Sequence, residues 1–188
     1  MKPILAIFCF ILFRINSYGQ EYATFCNIQY GGELLKASGN VTDSLRNIGV
    51  DSIITYNHYS QGFGYSKIFW TKNNAVCQIQ IIERRTENKR LIRTTDLNLH
   101  LSNKTLNLFN LKTLEAESSR IKDCSGFMSH QPYHLLYLYI NGQEGCISIA
   151  ESQLKCNTSN GKVKLIKELT MRPEEYYKLA VIKDEDNK

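Results

Sequence analysis

Cysteine and histidine are the residue types in this sequence that could carry out covalent or acid–base chemistry. Cys124 stands in the string Asp-Cys-Ser-Gly-Phe, and His134 follows it after nine intervening residues. A cysteine attacks substrates as a thiolate, and a histidine beside it can act as the general base that takes the thiol proton. The sequence therefore offers Cys124 and His134 as a candidate catalytic pair. Near the histidines, no Asp or Glu stands in a position that would suggest a Ser-His-Asp arrangement.

The segments that contain these two residues resemble parts of the papain-like cysteine peptidases that cut bacterial cell-wall peptides. The string around Cys124 is similar to the nucleophile segment of that family, and His134 to Gln143 is similar to its histidine-bearing strand and turn. The resemblance implies a thiolate at Cys124 and a general base at His134. In the family the cysteine opens a helix and several strands precede the histidine, whereas here Pro132 lies in the short segment between them.

Metal binding is the other chemistry that these residue types suggest. His130 and His134 are spaced to share one face of a helix, with Cys124 as a third ligand. Pro132 breaks such a helix, and an extended chain would hold the two rings far apart. No C-x-x-C pair occurs, so the sequence predicts neither a metal site nor another cofactor.

Aromatic residues gather around the glycine-containing loop Ser60 to Gly64. Glycines on both sides of Phe63 let the backbone turn and project its ring. Aromatic surfaces suit carbohydrates, peptides and protein partners. We therefore take Tyr56, His58, Phe63 and Tyr65 as candidate ligand-binding residues. The alternative is that these rings pack in the core of a sheet.

The amino terminus has the pattern of a secretory leader. A basic start precedes ten consecutive apolar residues, Ile4 to Phe13, and the small residue Gly19 follows a short polar stretch. The pattern predicts a signal peptide over 1–19, a single domain over 20–182 and a disordered tail over 183–188. The expected location is secreted or periplasmic.

Charge and hydropathy limit the classes of partner. The formal net charge is +5, and loss of Lys2 and Arg14 with the leader lowers it by two, which does not indicate a nucleic-acid-binding protein. After cleavage, no apolar stretch is long enough to span a membrane as a helix. The basic string Arg84 to Arg90 is interpreted as a solvated hairpin tip. The expected partner is an extracellular or envelope protein or ligand.

The number of cysteines in the mature protein depends on whether the leader is removed. The chain has six cysteines, and removal of Cys9 leaves an odd number, so at least one thiol stays outside the intramolecular disulfides. Cys146 and Cys156 are the closest pair along the chain and are the candidate disulfide. The alternative is that all the cysteines are small buried apolar residues.

The alternation of apolar and polar residues predicts a sheet built from successive hairpins. The first hairpin pairs Lys67–Thr71 with Val76–Ile81 through a turn at Asn73-Asn74. The second pairs Leu97–Leu101 with Leu106–Leu108 through Ser102-Asn103, and the third pairs His134–Ile140 with Gly145–Ile149 through Asn141-Gly142. The leucines between 97 and 111 also fit a helix, so that alternative stays open.

Further strands and a few helices complete the expected fold. The strands are Ser52–Tyr59 and Thr24–Tyr30, and the helices are Thr42–Gly49, Thr113–Glu117, Gly161–Thr170 and one opened by Pro173. The sequence thus predicts a single α+β domain with a twisted antiparallel sheet and a few short peripheral helices. The leading functional hypothesis is a non-enzymatic binding domain, and the alternative is a small exported papain-like cysteine hydrolase using Cys124 and His134.

Overall fold

The computed structural model describes residues 23–25, 28–30, 32–72, 75–86, 89–97, 120–122, 124 and 131–171. Its strands are β1 (Ala23–Phe25), β2 (Ile28–Tyr30), β3 (Ser52–Ser60), β4 (Phe63–Lys72), β5 (Ala75–Thr86), β6 (Lys89–Leu97), β7 (Tyr133–Ile140) and β8 (Gln143–Ala150). Its helices are α1 (Glu33–Asn47), α2 (Glu151–Cys156) and α3 (Gly161–Leu169).

Six of these strands form one antiparallel sheet in the order β6-β5-β4-β3-β7-β8. Strands β1 and β2 make a separate two-stranded sheet. The predicted α+β domain with a hairpin-built antiparallel sheet is confirmed. None of the helices in the described ranges is long and apolar enough to cross a membrane.

Two of the predicted hairpins have the predicted register. In the β4–β5 hairpin, Trp70 pairs with Cys77 and Ile68 pairs with Ile79. In the β7–β8 hairpin, the turn residues Asn141 and Gly142 have φ of 50° and 80°. Positive φ at both central residues is the requirement of the tight turn that matches the twist of two antiparallel strands.

Several predicted boundaries are wrong. Strand β5 continues to Thr86 and β6 begins at Lys89, so most of the basic string lies within strands and not in a loop. Helix α1 begins nine residues before Thr42, the predicted N-cap. The Thr42 hydroxyl donates to the Ser38 carbonyl inside this helix. The predicted leader 1–19, the Leu97 hairpin beyond Leu97 itself, the helices at Thr113 and Pro173, and the tail lie outside the described residues.

Alternation along the strands gives the sheet two apolar faces, and a helix covers each. Helix α1 covers one face, which we call the α1 face; its buried core consists of Leu34, Val41, Leu45, Ile53, Ile68, Ile79 and Ile81. Helices α2 and α3 cover the α3 face; its core includes Ile54, Tyr56, Tyr65, Leu136, Leu138, Ile147, Ile149, Leu154, Val163 and Ile166. Burial on both faces explains why β7 contains a nearly continuous apolar run.

Candidate functional site

A cluster of aromatic rings lies on the α3 face, at the end of the sheet nearest the β3–β4 turn. The ring centres of Phe63 and Tyr65 are 5.9 Å apart, and those of Tyr65 and His58 are 5.1 Å apart. His58 in turn lies 4.9 Å from His134 on the neighbouring strand β7. The residues that the sequence offered for ligand binding thus meet the histidine that it offered for catalysis.

His134 is the centre of a hydrogen-bond network that joins three elements. Its Nδ1 atom is 2.8 Å from the Tyr56 hydroxyl on β3, and its Nε2 atom is 2.6 Å from the Glu151 carboxylate on α2. The Tyr56 hydroxyl is also 2.9 Å from the Thr170 hydroxyl, which donates to the Ile166 carbonyl at 2.7 Å. The network therefore links the sheet to the end of α3.

The β7–β8 hairpin places Glu151 beside His134. Ile149 pairs with His134 in the register, and Glu151 follows two residues later as the first residue of α2. The Glu151 backbone N–H donates to the Pro132 carbonyl at 2.9 Å. This hydrogen bond holds the start of α2 beside the residue that precedes β7. Sequence proximity to His134 did not reveal this carboxylate. The predicted hairpin register, extended by two residues, was the signal that could have found it.

Burial controls the charge of both histidines. His134 is fully buried, and this burial lowers its pKa although the Glu151 carboxylate raises it. Burial, followed by the nearby His134, lowers the pKa of His58 to about 4. Desolvation of a charged imidazole is the physical cause in both cases. His58 is consequently neutral at pH 7, and its buried Nδ1 atom has no hydrogen-bond partner within the described part of the chain.

The geometry of His134 does not favour general-base catalysis by this residue. Both ring nitrogens already have partners, and the ring has no exposed surface. A general base needs a nitrogen within reach of the substrate proton. The arrangement can instead hold or move a proton within the network.

Two of the four candidate ligand-binding residues are core residues. Tyr56 and Tyr65 are 0% and 2% exposed, so the prediction that their rings form a ligand-binding surface is wrong. The Tyr65 hydroxyl accepts a hydrogen bond from the Met171 backbone N–H at 2.7 Å, because the chain that follows α3 crosses over these rings. His58 and Phe63 are half-buried and stay at the border of the cluster.

Cys124 forms a disulfide with Cys156, the last residue of α2. Their Cα atoms are 6.3 Å apart, within the range that disulfides span. The predicted bridge between Cys146 and Cys156 is therefore wrong, because distance along the chain is a poor guide to distance across a sheet. Cys146 is also disulfide-bonded. A bridged Cys124 has no thiol with which to attack a substrate.

Asn157 holds the Cys124 segment in place beside the bridge. Its side-chain amide donates to the Lys122 carbonyl at 3.0 Å, and its side-chain oxygen accepts from the Lys122 N–H at 3.0 Å. The same amide lies 3.6 Å from Cys124 Sγ and 3.4 Å from Cys156 Sγ. The bridge and the amide together attach the chain near residue 122 to α2.

A partly exposed aromatic surface, which we call the aromatic end, surrounds the β3–β4 turn. It consists of His58, Tyr59, Phe63 and Tyr133. Tyr133 is 52% exposed and pairs with the half-buried Tyr59 on the α1 face of the sheet. His58 and Phe63 lie on the opposite face, and the turn residue Gln61 is exposed between them. This end of the sheet therefore offers aromatic surface on both sides.

Within the described residues, no group of three or more His, Cys, Asp or Glu side chains could hold a metal ion. The chain matches no protein-family model, no curated protein and no solved structure. The proposals below therefore depend on the geometry of the site and on the chemistry of its residues.

Proposed function

We propose that this chain is an exported, non-enzymatic binding domain that engages an extracellular or envelope protein through its aromatic end. The observation that carries the proposal is the exposure of Tyr133 beside the half-buried Tyr59. Large aromatic side chains are enriched in the centres of protein interfaces, where they bury apolar area at a low cost in side-chain entropy.

Cysteine chemistry supports an extracellular or periplasmic location. Disulfides persist in oxidising compartments and are rare where glutathione and thioredoxin keep thiols reduced. Cys124, Cys146 and Cys156 are all disulfide-bonded. Together with the leader-like pattern of residues 1–19, this favours a protein that folds after export.

The alternative function, a cysteine hydrolase, has less support from the geometry. It requires a reactive thiolate at Cys124, whereas Cys124 Sγ is bonded to Cys156. It also requires an accessible imidazole at position 134, whereas His134 is fully buried. A thiol-directed reagent that labelled Cys124 in the purified mature protein would revive this alternative.

Photo-crosslinking from single positions tests the binding surface. A benzophenone amino acid is placed at position 133 or at position 48, because Ile48 is the other large apolar residue with an exposed side chain in the described ranges, 58% exposed. After export and irradiation in the expressing cells, we expect a protein adduct from position 133 but none from position 48. An adduct from both positions, or from neither, contradicts the proposed surface.

Amino-terminal sequencing of the protein from the medium or periplasm tests export independently. We expect the mature chain to begin at Gln20, directly after the small residue Gly19. Full-length protein that stays in the cytoplasm contradicts export, and the crosslinking result then decides whether the aromatic end is still a binding surface.

A further inference from the structure

The network around His134 contains more hydrogen-bond contacts than its neutral form has protons. Four contacts run in series: Glu151 to His134 Nε2, His134 Nδ1 to Tyr56, Tyr56 to Thr170, and Thr170 to the Ile166 carbonyl. An ionised Glu151 and a carbonyl can only accept. A neutral His134, Tyr56 and Thr170 supply one hydrogen each, which leaves one contact without a hydrogen.

One additional proton completes the network. With both His134 nitrogens protonated, Nε2 donates to Glu151 and Nδ1 donates to the Tyr56 oxygen. The Tyr56 hydroxyl then points its hydrogen at Thr170, and the Thr170 hydroxyl keeps its bond to Ile166. Without that proton, Tyr56 must donate back to Nδ1, and Thr170 must choose between Tyr56 and Ile166 as its acceptor.

We propose that this network is a proton relay, in which uptake of one proton at the His134–Glu151 pair reverses the Tyr56 hydroxyl and fixes the Thr170 hydroxyl on the end of α3. The proton is taken up from solvent, and the one new covalent bond is Nδ1–H, because Nε2 already carries the hydrogen that it donates to Glu151. The Tyr56 hydroxyl keeps its own hydrogen and turns it from Nδ1 to Thr170. The relay thus couples acidification to the hydrogen bonds of the residue that follows α3.

Among the described residues, Glu151 is the charged group in direct contact with the His134 ring. The titratable, charged and polar groups in its neighbourhood include Tyr56 and His58 on β3, Tyr65 and Lys67 on β4, Glu151 on α2 and Thr170 after α3; β8 contributes the apolar Ile149. Lys67 Nζ lies 5.8 Å from the centre of the Tyr65 ring, and Lys67 pairs with Tyr56 in the β3–β4 register. Burial lowers the pKa of His134, and Glu151 raises it.

The Thr170→Val substitution distinguishes a relay from an ordinary His–Glu pair. Valine removes two hydrogen bonds of Thr170 from the protonated form but only one from the neutral form, so it penalises the protonated form more. We expect the titration midpoint of the His134 ring, followed by NMR of the full disulfide-bonded chain, to fall by about one pH unit, a tenfold weaker proton affinity. Thr42→Val is the matched control, because Thr42 is a buried threonine on the other face.

The Tyr56→Phe substitution supplies a second, independent test. It removes the hydroxyl through which the relay passes, so it also lowers the His134 midpoint, and Thr170→Val adds no further shift in its background. If Thr170→Val does not fold, Tyr56→Phe alone decides the question. An unchanged midpoint in either variant, an equal fall in Thr42→Val, or additive shifts in the double variant would each overturn the relay.

Discussion

His58 is a half-buried imidazole at the border between the core cluster and the aromatic end. It stacks on Tyr65, and its pKa of about 4 arises mainly from burial, with His134 second. In the unfolded chain a histidine takes up its proton near pH 6.5. Between these two pH values the unfolded state binds more protons than the folded state, so stability falls as the pH falls.

Replacing His58 with Phe is expected to remove this acid sensitivity. The ring stack on Tyr65 is kept, but no proton is bound at this position. Between pH 7 and pH 4 the wild-type chain should lose about 2 kcal/mol more stability than the variant, after allowance for the partial exposure of the ring. Urea unfolding of both proteins at the two pH values measures the difference. An equal loss in both proteins would mean that His58 does not contribute.

Ser66 and Thr55 are both fully buried on strands, but their hydroxyls differ in hydrogen bonding. Thr55 Oγ1 is 2.9 Å from Thr42 Oγ1, whereas the Ser66 hydroxyl has no partner within the described residues. We expect Thr55→Val to cost about 1 kcal/mol and Ser66→Ala to be neutral or slightly stabilising, because a buried unpaired hydroxyl already carries its desolvation cost. Equal losses in urea unfolding would contradict this contrast.

At the scale of elements, the start of helix α1 packs closely against the sheet at Gly64. A Cβ atom on Gly64 would lie 2.7 Å from Leu34 Cδ2 and 3.2 Å from the His58 carbonyl oxygen. Leu34 is fully buried and has little space into which it could move. The absent side chain of Gly64 therefore sets how near the start of α1 lies to β4.

Gly64→Ala is expected to destabilise the fold by about 2 kcal/mol through overpacking. Leu34→Val removes the nearest methyl group, so the double variant should be more stable than the sum of the two single losses predicts. A double-mutant cycle from urea unfolding measures this coupling. Strictly additive losses would show that the α1 face adjusts in another way.

At the scale of the whole molecule, disulfides connect segments that are distant in sequence. The Cys124–Cys156 bridge closes a separation of 32 residues, for which loop-closure entropy predicts about 3–4 kcal/mol of stabilisation. Both cysteines are exposed, so replacing the pair with serine leaves no cavity. The double serine variant should lose stability of that order in urea unfolding. A loss below about 1 kcal/mol would indicate that Asn157 alone holds the segment.

A disulfide map by mass spectrometry tests the second bridge. Cys146 is bonded, and Cys77 lies on β5, four strands from β8 in the sheet order. That distance is roughly 19 Å and far exceeds the reach of a disulfide. Cys9 and Cys26 remain as partners, and cleavage of the leader removes Cys9. We therefore expect Cys146 to be linked to Cys26 in the mature protein, and a different partner would contradict the predicted leader.

The local features of the fold could be predicted from the sequence by itself. Alternating apolar residues and the Asn141-Gly142 turn determine the β4–β5 and β7–β8 registers, because side chains alternate with a period of two and only certain residues accept positive φ. The sequence offered His58 for ligand binding and His134 for catalysis on separate grounds, and the two residues pair across β3 and β7.

Only the tertiary structure decided which groups meet and which are covered. Glu151 reaches His134, Cys156 reaches Cys124, and the chain after α3 covers Tyr56 and Tyr65. These contacts depend on strand order and on the helices above the sheet, which no local pattern specifies, since aromatic residues suit a core and a binding surface equally well. Packing therefore decided that the aromatic residues would be divided between the proton network and the aromatic end.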